Sequence, residues 1–235
     1  EHELRWLPLL APDLPLPVPV PVFAGRPAAG YPWRWSICPW LPGDVAGRTA
    51  ASDPTSAALA LGGFLAALHR PAPDDAPINP VRGGPLAERD TVTRERIGQL
   101  GGSIDGERCL ALWDELASTP PWPGPAIWIH GDLHPANVLV DGGRVSGVLD
   151  FGDLCGGDPA TDLAVAWSLL HRDVDATARE ALRAAAGYGD DDATWARARG
   201  WALSLALAYL ASSADHPLIA SIGRRTLAAA LRPPA

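Results

Sequence analysis

Lysine is missing from all 235 residues, so each of the nineteen basic side chains is an arginine, and methionine is missing as well, even at the first position. A chain opening "EHELRWLPLL" reads as one that begins after a missing segment. Twenty-seven acids outnumber the arginines, giving a net charge of -8 and a pI near 5.1, which excludes a general nucleic-acid surface. Phosphate backbones need clustered cations. An acidic balance suits a cationic small molecule, and equally the plain solubility of an ordinary protein. The three cysteines, Cys38, Cys109 and Cys155, are far apart and form no CxxC pair, which excludes both a disulfide framework and a zinc site. Long apolar runs are also lacking. The longest, Trp201 to Ala211, is too short to cross a bilayer, and no signal-peptide pattern opens the chain, so no membrane partner and a cytoplasmic location are expected.

What is present is a hydrophobic fraction of 47% on a chain sized for one large lobe and a smaller piece. Leu4 and Leu7 suggest the end of a helix. "APDLPLPVPVPV" follows, extended because proline removes backbone donors, and reads as an edge or connector or as a ligand for a proline-binding module. Two strands are expected near 20–24 and 33–38, closed by the turn "LPGD". From Thr55 the pattern turns helical, with apolar residues every three or four positions at 55–70, 85–100, 105–118, 158–172, 175–188, 191–213 and 216–231. The fold class is therefore α+β, a small β-rich piece before a mainly helical lobe with a small β insert, and the boundary falls between Gly43 and Gly47.

The insert holds the chemistry. "WIHGDLHPANVLV" places His130, Asp132, His134 and Asn137 within eight positions, and "NVLVDGGRVSGVLD" reads as a hairpin on Gly142 and Gly143. Asp141 then faces Arg144, and counting back puts Asn137 opposite Val148, with Asp150 a diagonal neighbour on the same face. One amide and one carboxylate make a poor cage by themselves. Mg²⁺, however, takes one or two protein oxygens and completes its shell with water and substrate phosphates, which points to a nucleotide. Asp132 is left free to accept a proton from an attacking hydroxyl. A competing reading makes His130, Asp132 and His134 ligands of a two-metal phosphoesterase, but it leaves "LDFGD" unexplained.

At these residues the sequence resembles the aminoglycoside phosphotransferase family, small-molecule kinases with a protein-kinase-like fold. "HGDLHPAN" is similar to the family's catalytic loop and "LDFGDLCGGDPATDLA" to its metal-binding segment and following helix, with the D-x-x-x-x-N spacing and the literal "DFG". "GGFLAALHRP" and "YPWRWSICPWLPGD" resemble other family segments. The resemblance implies an ATP- or GTP-dependent phosphotransferase acting on the hydroxyl of a small molecule, an aminoglycoside-type antibiotic among the candidates. It implies Asp132 as catalytic base, His130 as the brace of its loop, and Asn137 and Asp150 as Mg²⁺ ligands. Pro39, Trp40 and Leu41 would be the hinge offering main-chain bonds to adenine, Trp40 alone having reason to approach the base. Glu3 would pair with the phosphate-binding lysine. Residues 1–43 become a partial nucleotide lobe and 44–235 the catalytic lobe. That lysine lies upstream of such a glutamate in the family, so either it precedes these residues or the protein binds without catalysis.

Other residues carry simpler expectations. Asp158 reads as an N-cap and Asp162 as either a first-turn carboxylate or a holder of the catalytic loop's amides. Asp153 reads as a solvated loop acid, His134 as loop packing or direct chemistry, and His69, His171 and His216 as lone helix-end histidines. Trp113, Trp167 and Trp201 are expected in the core, and Asp190 to Asp192 at a helix N-terminus.

Overall fold

A computed structural model of the protein describes residues 2–28, 30–170, 176–213 and 215–233. Helix α1 (His2–Leu10) buries Trp6, Leu7 and Leu10 along one side despite Pro8 within it. The proline-rich stretch that follows has few donors to offer, and it is used as an edge: the carbonyl of Pro17 accepts the Val148 N–H at 3.0 Å. Strands β1 (Phe23–Gly25) and β2 (Trp35–Ile37) pair antiparallel, Phe23 opposite Ile37, and pair with no other named strand among the described residues. Their apolar side chains, Phe23, Trp35 and Ile37, are exposed.

After the "LPGD" turn, β3 (Asp44–Val45) joins β5 (Val138–Asp141) and β6 (Arg144–Val148) in a three-stranded antiparallel sheet ordered β3-β5-β6. Strands β4 (Ile127–Ile129) and β7 (Cys155–Gly157) form a separate antiparallel pair. The hairpin register corrects one expectation. Asp141 does face Arg144, but Leu139 pairs with Gly147 and Val140 with Val145, so Ser146 is an extra, bulged residue. Val148 therefore meets Val138, and Asn137 meets Leu149, whose N–H donates to its carbonyl at 2.8 Å. A bulge cannot be counted from the turn, because it adds a residue to one strand only.

The helices follow the apolar spacing closely: α2 (Pro54–Leu68), α3 (Asp90–Leu100), α4 (Gly106–Ala117), α7 (Ala176–Ala185), α8 (Asp192–Ser212) and α9 (Pro217–Leu231). Caps fix several starts. Asp53 accepts from the Thr55 and Ser56 amides ahead of α2, Asp105 from Arg108 ahead of α4, and Asp191 from Thr194 ahead of α8. The expected helix at 158–172 is two short ones instead, α5 (Ala160–Leu163) and α6 (Val165–Leu169), and His171 lies outside the described residues. Helix α8 is buried through much of its length, from Thr194 to Leu207, because α3, α4, α5 and α9 all pack on it.

Trp113, Trp167 and Trp201 are buried as expected. Pro159, not the expected Asp158, takes the N-cap position of α5; Asp158, one residue earlier, accepts the Ala160 N–H at 3.0 Å and pairs with Arg197 of α8 at 2.6 Å, both side chains almost fully buried. This pair ties the β4–β7 region to the central helix. Among the described residues no helix is long and apolar enough to cross a membrane.

Candidate active site

Residues 130–137 form the loop between β4 and β5, and a single buried carboxylate organises its start. Asp162, on α5 and fully buried, accepts from the His130 N–H at 2.7 Å and the Gly131 N–H at 2.9 Å. Of its two readings, the structure selects the holder of the loop amides. Gly131 is required here: its φ is +84°, and a Cβ would come within 2.5 Å of the Asp153 carbonyl oxygen. His69 is neither solvated nor alone; its side chain is buried, with Nε2 3.3 Å from Asp162 and Nδ1 3.1 Å from the Tyr188 hydroxyl. It faces the core because the end of α2 packs beneath the loop, a placement that only tertiary structure could set.

His130 is a brace by its bonding. Its Nε2 lies 2.8 Å from the Leu149 carbonyl, which can only accept, so that nitrogen carries the proton. Nδ1 is then an acceptor, and the Asp132 N–H donates to it at 3.2 Å. With both nitrogens on main chain and the ring against Phe151 at 4.7 Å, His130 has nothing left to offer a metal. The two-metal reading loses a ligand.

Asp132 emerges half-buried from this scaffold with both oxygens engaged. Arg82 donates to Oδ1 at 3.2 Å, and Nε2 of His134 lies 3.3 Å from Oδ2. Nδ1 of His134 accepts from the Ala136 N–H at 3.2 Å, so Nε2 is the nitrogen that donates to the carboxylate. Burial alone would push the Asp132 carboxyl up, but the His134 hydrogen bond, the Arg82 guanidinium and the electrostatic influence of the neighbouring imidazoles outweigh it and hold the carboxyl at about 2. Tyr209 of α8 stacks edge-on against His134 at 5.3 Å, and burial, then the Asp132 charge, push its phenol above the ordinary value.

Asn137 is buried, and its Nδ2 donates to the Asp132 carbonyl at 3.0 Å. A carbonyl accepts only, so the amide oxygen of Asn137 is aimed away from it and stays open to a cation. Asp150, one residue past Asn137's backbone partner, is exposed and has φ +60°, the one positive φ among described non-glycine residues. Such a conformation on a side chain costs energy and marks functional segments. One carboxylate oxygen accepts from the Gly152 N–H at 3.3 Å. An amide oxygen and a carboxylate are hard donors that fit Mg²⁺, and no group of three or more His, Cys, Asp or Glu suited to a metal exists among the described residues.

Glu3 accepts the Phe151 N–H at 3.1 Å, which sets α1 directly on the Asp150–Phe151–Gly152 turn. The hinge candidates sit differently. Trp40 is 91% exposed and Pro39 is exposed, while Leu41 is half-buried with its Cδ1 over Gly147. Asp153, expected in solvent, accepts from Asn79 Nδ2 at 2.9 Å, because the 77–83 loop folds over it. Two contributors escaped the sequence reading. Arg82 comes from a loop fifty residues before Asp132, and Tyr209 from an apolar helix; neither belongs to a local pattern that could have flagged it.

Comparison with known proteins bears on the family and the fold. The chain is 39% identical over 92 residues to an aminoglycoside 3'-phosphotransferase of Streptomyces fradiae, covering 38% of this chain and 31% of that protein. It is 46% identical over 61 residues to a homoserine kinase of Neisseria meningitidis serogroup B, covering 26% and 20%. It thus spans under a third of either relative. Among solved structures, the GDP complex of wild-type aminoglycoside 2'-phosphotransferase-IIIa superposes with a TM-score of 0.66 at 20% identity, covering 97% of this chain and 80% of that one. Macrolide 2'-phosphotransferase type I gives a TM-score of 0.58 at 21% identity, covering 96% and 77%. These likenesses establish a protein-kinase-like α+β fold. A sequence model of the phosphotransferase enzyme family matches residues 1–201, a span that runs from α1 through the loop and into α8, and the chain belongs to that family.

Proposed function

We propose that this protein transfers the terminal phosphoryl group of ATP or GTP to a hydroxyl of a small molecule, with Asp132 as the residue that receives the hydroxyl. The observation that carries this reading is the setting of Asp132: its carboxylate stands at the rim of a loop anchored by Asp162, and its main-chain carbonyl accepts from the Asn137 side chain. A carboxyl held at about 2 is a weak base in bulk terms. It suits a loose phosphoryl-transfer transition state, where the hydroxyl must be oriented first and its proton is lost late.

Asn137 and Asp150 are the residues that would hold Mg²⁺, which when bound neutralises phosphate charge. Glu3 reaches the same turn from α1, and His130 positions the loop without touching substrate. The main chain of Pro39, Trp40 and Leu41 is assigned to the adenine or guanine base. No lysine is present in these 235 residues, so within them the cation for the phosphates is not a lysine. A division at residue 43 is part of this reading, and strand pairing supports it: among the described residues β1 and β2 pair only with each other, whereas β3 from Asp44 onward joins the sheet that follows the loop. The names of the relatives above, aminoglycoside and macrolide phosphotransferases and a homoserine kinase, support a small-molecule hydroxyl as the acceptor.

The full-length protein, supplied with Mg²⁺ and ATP or GTP, is expected to consume nucleotide in the presence of a hydroxyl acceptor. Asp132→Ala should lower turnover about 10³-fold while changing ADP affinity less than about threefold. Undiminished phosphorylation by that variant would remove Asp132 from the reaction.

A further inference from the structure

Arg82 stands beside Asp132, and it lies close enough to Arg89 and Arg96 for the three charges to act on one another. Arg82 donates to Asp132 and to the Val81 carbonyl, and its Nε is buried with no partner. The Nε of Arg89 is likewise buried and unpartnered, and among the described residues neither Arg89 nor Arg96 forms an ion pair. The main chain fixes where Arg82 stands: the Gly83 N–H donates to Thr161 Oγ1 at 3.1 Å, and its carbonyl accepts the Asp158 N–H at 2.8 Å. Arg89, Thr93 and Arg96 recur at four- and then three-residue steps from the 3-10 turn Leu86–Arg89 into α3, so they share one face. Thr93 bonds Ser204 of α8 at 2.9 Å, which turns that face toward the helix carrying Tyr209, the neighbour of His134.

The charges are close enough to disfavour one another. Burial and then Arg82 lower Arg89; burial, Arg89 and Arg82 lower Arg96, and Glu95 is the single acid acting against this. Half-buried guanidinium groups with spare donors and uncompensated charge are built for a carboxylate or phosphate, which takes two parallel N–H bonds from each fork. In a chain of net charge -8, such a concentration of positive charge selects its ligand locally.

We infer that Arg82, Arg89 and Arg96 form a subsite for an acid group on the phosphoryl acceptor, which is therefore a hydroxy acid or a phosphorylated alcohol. This rests on the phosphotransferase reading above, and it goes against the cationic acceptor that the overall charge suited. Arg82 joins the two halves of the site, since one of its nitrogens touches Asp132. An acid bound across the arginines places a hydroxyl a few atoms away at that carboxylate.

The test uses the full-length protein with Mg·ATP and six acceptors: L-homoserine, D-glycerate and glycerol 3-phosphate against glycerol, choline and kanamycin. The acidic compounds are expected to be phosphorylated, and Arg89→Gln and Arg96→Gln to raise their KM about tenfold each, with kcat and ADP affinity changed less than about threefold. Arg89→Lys and Arg96→Lys, which keep the charge and lose the fork, should recover part of that loss. L-Malate, which needs no turnover, should bind the wild type in calorimetry and bind both glutamine variants about tenfold more weakly. Phosphorylation confined to glycerol, choline or kanamycin overturns the subsite and leaves the kinase reading standing. So does a loss of ADP affinity in the glutamine variants, which would assign the arginines to the nucleotide. Malate binding that depends on the arginines with no acceptor phosphorylated keeps the subsite and refutes the kinase reading. Absence of both malate binding and acidic turnover overturns the subsite.

Discussion

The Asp162 carboxylate and the main-chain N–H of His130 meet at 2.7 Å inside the core, thirty-two residues apart in sequence. The same carboxylate takes the Gly131 N–H, so the first two amides of the loop are satisfied by one charged group that water cannot replace. Asp162→Asn keeps the shape but turns an amide NH₂ toward one of those N–H donors. It is expected to cost about 2–4 kcal/mol in urea unfolding, from a charge-assisted bond lost and a donor left unpaired. Turnover should fall with it, since Asp132 follows directly on the displaced amides.

Acid stability should report on Asp132. Its folded carboxyl, held at about 2, lies below the ordinary 3.8, so the group contributes stability that is fully present above pH 4 and is lost as pH falls toward 2. The linkage amounts to about 2 kcal/mol. Asp132→Asn should flatten the difference in unfolding free energy between pH 5 and pH 3 relative to the wild type, as read by denaturant titration at each pH. Parallel curves for the two proteins would show that the carboxyl is not depressed.

Arg197 is enclosed by the Asp158 carboxylate, the Thr194 hydroxyl at 2.8 Å and the Pro120 carbonyl at 3.1 Å. Removing one partner strands the other as a buried charge. Arg197→Met should therefore destabilise the protein by about 3–5 kcal/mol. Adding Asp158→Asn to it should recover part of that loss, because the stranded charge is then gone. Differential scanning of the wild type and both variants decides this, and a double variant less stable than Arg197→Met alone would contradict it.

The cysteines should separate by exposure. Cys38 is exposed, whereas Cys109 and Cys155 are buried and burial raises both thiols, Cys155 up to about 12. An alkylating reagent at pH 8 should label Cys38 alone in the native protein and all three after unfolding, as counted by mass spectrometry.

Much of the scaffold was legible because local rules decide it. Apolar spacing placed α2, α4, α8 and α9 within about two residues, since a helix facing a core repeats its contacts every turn. The turn glycines gave Asp141 opposite Arg144. The register beyond them was not legible, because the bulge at Ser146 adds a residue to one strand only and no local pattern marks it. The break near Ala164 that divides α5 from α6 escaped for a related reason: both halves are apolar on the surfaces that a single helix would bury.

The sequence by itself determined which chemical groups stand near one another along the chain: Asp132 five residues before Asn137, and Asp150 directly before Phe151 and Gly152. These spacings are covalent and survive any folding of the rest. Tertiary structure decided what each group experiences. It brought Arg82 and His134 to the two oxygens of Asp132, Asp162 beneath the loop, and Glu3 to the Phe151 amide across 148 residues. Charge, burial and hydrogen bonding depend on distance through space, and distance through space is what a linear pattern of residues does not encode.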